Sequence, residues 1–171
     1  SNTGMGRETA RFLARAGLRV ILACREPGKA EAAAADISAA SPGADLGILP
    51  LDLSSQASVR AFAKAFLGKE GRLDILVHNA GVSLTERRDS PEGIEWTLAV
   101  NHFGPFLLTS LLFPALASSA PSRVVIVASG IAATSRLDLD GLSYARGWSG
   151  FRSYADSKLM NIMFARELAE R

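Results

Sequence analysis

Apolar residues are distributed along the chain in two alternating patterns. Four short stretches, "RVILAC" (Arg19 to Cys24), "LGILPLDL" (Leu46 to Leu53), "LDILVHNAG" (Leu73 to Gly81) and "RVVIVAS" (Arg123 to Ser129), are continuous apolar runs rather than strict alternations. Strands covered on both faces look like this, because helices pack against either side of a parallel sheet. Between these runs the spacing is helical. Gly6 to Ala16 leads into Gly17, a residue suited to a left-handed C-terminal position, and an Ala-rich stretch from Gly28 to Ala40 stops before Pro42-Gly43. Val59, Phe62, Ala63, Phe66 and Leu67 recur on one helical face behind Ser54 and Ser55, either of which suits an N-cap. A long helix is predicted over Ile94 to Ala117 and a last one over Phe151 to Arg171.

Strand-helix alternation of this kind predicts an α/β fold with a doubly wound parallel sheet and helices on both faces. Right-handed crossovers then gather the carboxyl ends of the strands on one edge, where such sheets bind ligands. Arg25, Asp52, Asn79 and Ser129 all lie at or just past those ends.

Composition narrows the choice. The 171 residues, 48% hydrophobic and 21% charged, suit one globular domain over 1–171, with no linker or repeat. Nineteen basic residues against seventeen acidic ones are scattered, so no nucleic-acid partner is expected. A single cysteine, Cys24, excludes an internal disulfide, and His78 and His102 have no zinc-site spacing, so no metal is expected. The most apolar stretch, Phe103 to Ala117, is interrupted by Gly104, Pro105, Thr109, Ser110 and Pro114 and reads as a buried helix rather than a membrane span. Without an initiator Met or a leader, the chain reads as a piece of a longer one with no membrane anchor of its own.

Four features bear on chemistry. Gly4 and Gly6 could admit a pyrophosphate at the N-terminus of the first helix, where free N–H groups favour an anion, or could simply make a tight turn. Arg25 follows the first apolar run, where dinucleotide folds meet the adenosine ribose. An Arg there suits a 2′-phosphate and favours NADP(H), the alternative being a solvated loop residue. "HNAG" (His78 to Gly81) offers small residues against which a flat ring can lie, with His78 itself better read as a satisfied strand-end histidine. "YADSK" places Tyr154 and Lys158 on one helical face. A phenol is a poor acid or base near neutrality, and a neighbouring ammonium favours its ionised form; a surface pair is the plain alternative.

The order of these features is more specific than any one of them. With "ILACRE", "LDLSSQASVRAF", "DILVHNAG", "VNHFGPFLLT", "APSRVVIVAS" and "YADSKLMNIMFARELA", the chain resembles the short-chain dehydrogenases/reductases, in particular their retinol-dehydrogenase-like group, over nearly its whole length. That resemblance implies a partial Rossmann-like NAD(P)-binding domain. Ser1, Asn2, Thr3, Gly4, Met5 and Gly6 match the end of the family's TGxxxGxG phosphate loop, and the family's central first strand, which belongs between "RVILAC" and "LDILVHNAG", is lacking, as are its C-terminal strands. It implies NADP(H) in preference to NAD(H), with Asp52 and Leu53 beside the adenine and Asn79, Ala80 and Gly81 as a wall of the cofactor site. Asn101, Ser129, Tyr154 and Lys158 fall on the catalytic tetrad. Tyr154 would exchange a proton with the substrate oxygen and Ser129 would hold that oxygen. Lys158 would bind the ribose hydroxyls and favour the phenolate, with Asn101 linking a water to Lys158. Tyr154 and Lys158 thus also border the cofactor. Where relatives carry Ser-Ser, this chain has Ala128-Ser129, which keeps the catalytic position. The implied substrate is a small lipophilic alcohol or carbonyl compound, a retinoid, steroid or similar molecule, and the implied partner is a second copy docked through the helix Ile94 to Ala117. Relatives are often held at membranes, and the compartment is left open.

Two further readings stay in view. One is a non-catalytic binding or interaction form of such an enzyme, and the other a sugar-nucleotide epimerase sharing Y-x-x-x-K. The segment Ile131 to Arg152, with Tyr144, Trp148 and Phe151, reads as one wall of a substrate pocket or as a surface loop with buried aromatics.

Overall fold

The computed structural model describes residues 3–142, 144 and 147–170. Helix α1 (Gly4–Arg15) leads into strand β1 (Val20–Cys24), then α2 (Pro27–Ala40), β2 (Leu46–Pro50), α3 (Gln56–Lys69) and β3 (Ile75–His78). A long helix follows, made of α4 (Trp96–Leu98), a π-helical turn (Ala99–Phe103) and α5 (Gly104–Ser118). Strand β4 (Arg123–Ile126), a short 3₁₀ helix (Gly130–Thr134) and α6 (Gly150–Ala169) complete the order.

The strands pair in parallel as two separate ribbons. β1 lies beside β2, Val20 opposite Leu46 and Cys24 opposite Pro50, and β3 lies beside β4, Ile75 opposite Arg123 and His78 opposite Ile126. Between the ribbons is a cavity of about 470 Å³ lined by Ile21 and Leu22 of β1, Leu76 and Val77 of β3, and Ala10 and Leu108 from the helices. Among the described residues no strand fills it. It occupies the position expected for the family's first strand, so the fold is a partial Rossmann-like one, with strand-helix crossovers and helices packed on both ribbons.

Alanines set the spacing in the first half. Ala10 and Ala14 of α1 and Ala30 of α2 let helix backbones approach Val20, Leu22 and Cys24 closely, with Ile37 filling the remaining space. Larger side chains hold the centre, where Val59, Phe62, Ala63 and Phe66 of α3 meet Leu49 and Leu51 from below and Leu108 and Leu112 of α5 from the side. Each such Leu or Phe withdrawn from water contributes about 1.5–3 kcal/mol. A third cluster joins Leu98, Tyr144 and Met160.

Element boundaries shift where capping decides them. Of the two candidate caps for α3, Ser55 accepts from Ser58 N at 3.3 Å. The long helix begins at Trp96 and not at the expected Ile94, because the buried Glu95 carboxylate accepts from Leu98 N at 2.9 Å and caps it. It runs one residue further than expected, to Ser118. By length and composition helix Trp96–Ser118 could cross a bilayer, but 56% of its most apolar window is buried inside the fold. The runs read as strands as far as Leu53, Gly81 and Ser129 pair only to Pro50, His78 and Ile126. Their last residues turn off the sheet edge and carry the candidate site.

Candidate active site

The β1–β2 end of the edge is open. Arg25 is exposed, with its guanidinium 3.7 Å from the Glu26 carboxylate. Lys29 also holds that carboxylate, at 2.9 Å, and its hydrogen bond is the main reason that the Glu26 pKa lies below the usual range. Asp52 is turned into its own loop, where Oδ1 accepts from Ser54 N at 2.9 Å and Ser54 Oγ at 2.6 Å while its amide donates to Ser58 Oγ. Leu53 lies against the start of α5, where a Cβ at Gly104 would stand 2.3 Å from the Leu53 carbonyl oxygen. Thr3, Gly4, Met5 and Gly6 form the start of α1. Thr3 is its N-cap without a side-chain bond, and Gly4 has φ +53°, a left-handed conformation that a side chain would disfavour. Asn2, expected in the same loop, lies outside the described residues.

The β3–β4 end is closed and polar. Beyond β3, Asn79, Ala80 and Gly81 lead to Val82, whose amide donates to Asn101 Oδ1 at 2.8 Å and whose carbonyl accepts from Asn101 Nδ2 at 2.9 Å. The second Nδ2 hydrogen reaches Ser157 Oγ of α6 at 3.1 Å. The Asn101 amide, fully buried in the π-turn, thereby ties the loop after β3 to α6. Lys158, one residue further along α6, is only 3% exposed. Its ammonium donates to Val127 O at 2.9 Å and sits 5.5 Å from the centre of the Tyr154 ring, and burial lowers its pKa. Gly81 is the gap in this wall, since a Cβ there would stand 3.3 Å from Lys158 Nζ and 3.9 Å from Asn101 Oδ1. Ser129 lies two residues beyond the Val127 carbonyl that holds Lys158 and caps the 3₁₀ helix, its Oγ accepting from Ile131 N at 3.4 Å.

These contacts join Asn101, Gly81, Tyr154 and Lys158, with Ser129 on the segment that Lys158 anchors. Arg25, Asp52 and the α1 turn stand at the other end and, among the described residues, bond within their own neighbourhoods. Other side chains of the closed end were not singled out from sequence. Ser157 is the link between Asn101 and α6. Asp156 accepts from Ser135 Oγ at 2.6 Å and from the Tyr144 hydroxyl at 3.0 Å, and Glu95 accepts from Trp148 Nε1 at 3.0 Å. Within Ile131 to Arg152, Tyr144 and Trp148 are therefore turned inward onto carboxylates, and Phe151 is exposed. The signal available in the sequence was the position of Asp156 and Ser157 inside "YADSK", on the helix face next to Tyr154 and Lys158.

His78 is a satisfied strand-end residue. Its Nε2 lies 2.7 Å from Thr109 Oγ1, and burial lowers its pKa to about 4.

The family model for short chain dehydrogenase matches residues 1–171. The chain belongs to this family. Among its curated relatives, bovine dehydrogenase/reductase SDR family member 13 is 53% identical over 99% of the chain and 45% of the relative. Bovine retinol dehydrogenase 12 is 47% identical over the whole chain and 54% of the relative. The chain thus spans about half the length of the curated relatives it matches. An uncharacterized protein from Mycobacterium paratuberculosis superposes with a TM-score of 0.86 at 35% identity, covering 100% of the chain and 59% of that structure. A metagenomic short-chain oxidoreductase in complex with NADP superposes with a TM-score of 0.78 at 28% identity, covering 99% of the chain and 72% of that structure. This short-chain dehydrogenase chain is a partial version of the fold those structures show.

Proposed function

We propose that the chain carries the cofactor-binding and proton-handling residues of an oxidoreductase that interconverts an alcohol and a carbonyl and prefers NADP(H) to NAD(H). The observation that carries the reading is the buried Lys158 beside the Tyr154 ring, facing the gap left by Gly81. Because Gly81 has no Cβ, a flat ring or a sugar can approach its backbone and the Lys158 ammonium closely. Lys158 spends one N–H on Val127 and has others to offer ribose hydroxyls. Arg25, exposed at the end of β1, suits a 2′-phosphate, and the Gly4-Gly6 turn opening α1 suits a pyrophosphate. Asp52 and Leu53 would border the adenine, and Asn79 and Ala80 would continue the wall that Gly81 forms.

The nicotinamide supplies or accepts hydride when bound; everything else falls to the protein. Tyr154 passes a proton to or from the substrate oxygen. The Lys158 ammonium lies 5.5 Å from the centre of its ring, the cationic group next to the proposed proton carrier. Ser129 donates to the same oxygen and orients it. Asn101 holds the wall of the site through Val82 and Ser157, and its part in the reaction would be to link a water to Lys158. Relatives named retinol dehydrogenases make a retinoid one candidate within a wider class of small lipophilic alcohols and carbonyls. Exposed Phe106 and Phe113 on α5 and Met163 on α6 support pairing of two copies through the long helix.

A second reading, a non-catalytic form of the enzyme, draws on the cavity between the ribbons, which borders Gly6, Asn79 and Ala80. Titration with NADPH and with NADH, following nicotinamide fluorescence, separates the two. Saturable NADPH binding that weakens about tenfold or more in Arg25→Asp, with NADH little affected, is the expected result. Binding of neither by the folded chain supports the second reading instead.

A further inference from the structure

The long helix contains a defect at the point where the candidate site needs its most rigid residue. In an α-helix the carbonyl of Asn101 would accept from the amide four residues on, and that residue is Pro105, which has no N–H. The helix here is a π-turn, in which Gly104 N reaches back to Ala99 O. A buried carbonyl short of a donor costs about 1–3 kcal/mol, so an outside partner matters.

That partner comes from α6. Asn161 Nδ2 donates to Asn101 O at 3.0 Å. Since a carbonyl only accepts, the contact fixes which end of the Asn161 amide faces it, and the Asn161 oxygen points to His102 Nδ1 at 3.1 Å. An amide oxygen also only accepts, so His102 carries its proton on Nδ1. The His102 ring is held by edge contacts with Phe103 and Phe164, centroids 5.3 and 6.2 Å away. Asn101, His102 and Asn161 are all buried. The chain of bonds runs from His102 through Asn161 to the backbone of Asn101, whose side chain then holds Val82 and Ser157.

We propose that Asn161, oriented by His102, is a positioning residue for the candidate active site: it replaces the helical donor removed by Pro105 and thereby fixes the Asn101 amide, and through it the loop after β3, relative to Tyr154 and Lys158. This deepens the proposed function and rests on it for the catalytic consequence, but the structural linkage is independent of any reaction.

The test is amide hydrogen exchange of Val82, whose N–H donates to Asn101 Oδ1, measured with steady-state kinetics in the native protein with whatever sequence flanks these residues. In Asn161→Leu, which deletes both bonds, Val82 exchange is expected to accelerate about tenfold or more relative to the amides of β4. Asn161→Asp keeps an acceptor for His102 but faces the Asn101 carbonyl with a carboxylate, and its effect is expected to equal or exceed that of the Leu variant. His102→Phe, which releases only the orientation of Asn161, is expected to give a smaller acceleration of about threefold and serves if the Leu variant does not fold. On the proposed reaction, Asn161→Leu lowers kcat about tenfold with KM changed less than about twofold, the pattern of a lost geometric constraint. A role in general packing would lower protection of Val82 and β4 alike. That result, or Val82 exchange unchanged in folded Asn161→Leu and His102→Phe, overturns the proposal. Absence of turnover with intact Val82 linkage would remove only the proposed function.

Discussion

The two ribbons of the sheet are built from opposite materials. Around β1 and β2 the interior is hydrocarbon, with Ala10, Ala14, Ala30, Ile37 and Leu22 in contact, and the charges stay outside. Arg11 pairs with Glu8 and Asp36 at the surface, and Arg19 with Asp45 and Glu70. Around β3, β4 and the long helices the interior is threaded with polar groups. Among the described residues, every buried polar side chain except Ser54 lies at or beyond His78. Apolar packing is non-directional and fixes a fold without fixing an atom, whereas a buried amide or carboxylate tolerates few geometries. The polar half is the half where the proposed reaction would need a hydroxyl, an ammonium and a phenol held at set distances. The oily half presents Arg25 and the α1 turn to solvent, and its part is one of charge rather than of geometry.

The contrast breaks most sharply at Lys158. Replacing it with Met is expected to lower kcat/KM of the proposed reaction about 10³-fold, within the range for disabling the acid-base group that it supports, Tyr154, while the melting temperature shifts little. Loss of the Val127 bond and relief from burying a cation oppose each other. Kinetics and thermal melts on the same preparation check this, and parallel losses in both would make Lys158 a structural residue. Next in size is Asp156. Asp156→Ala strips a buried acceptor from Ser135 and Tyr144 and a partner from Arg152, at about 3 kcal/mol. Asp36→Ala, which breaks ion pairs on the surface of the oily half, is expected to cost less than about 1 kcal/mol. Urea unfolding of both variants measures the difference directly. Equal costs would deny that buried polarity sets the two halves apart.

The sequence was legible where one physical signal decided the outcome. Continuous apolar runs located the four strands of the described residues, and helical spacing with Ser55, Gly17 and Pro42-Gly43 placed the first three helices. The gap between the ribbons followed from the family's strand order and is seen as a cavity. Legibility failed where long-range partners decide. Nothing local announces that Glu95 caps the long helix while holding Trp148, and so the helix was expected to start at Ile94. Tyr144 and Trp148 looked equally like pocket walls and buried anchors, because the carboxylates that claim them come from α6 and from the start of the long helix. Asn101 was picked out as a candidate site residue through its motif, but its bonds to Val82 and Ser157 depend on a loop and a helix distant in sequence. Pro105, four positions after Asn101, was the readable hint that the carbonyl of Asn101 needs help from elsewhere.

Acid sharpens the comparison by a smaller effect, because both histidines, His78 and His102, belong to the polar half. Thr109 Oγ1 donates its own hydrogen to Pro105 O at 2.9 Å, so in the bond between His78 and Thr109 the donor is Nε2–H of His78. Burial holds the His78 pKa at about 4, below the value near 6.5 of an unfolded histidine. Between those two values the unfolded chain binds the extra proton and the native one does not. Stability is therefore complete above about pH 6.5 and falls with pH through that window, by about 3 kcal/mol in all. His102, also lowered by burial and partly offset by its bond to Asn161, adds to the fall in the same direction. Carboxylates such as the half-buried Glu70, held low mainly by the hydrogen bond from Arg19, respond only below about pH 4.5, where they begin to protonate in the unfolded chain. Urea unfolding at pH 7.5, 5.5 and 4.5 should thus show a loss that His78→Leu largely removes, and hydrogen exchange at pH 5 should show β3 and β4 opening before β1 and β2. A loss of the same size in His78→Leu would place the acid sensitivity elsewhere, and simultaneous opening of both ribbons would mean that the polar half does not unfold on its own.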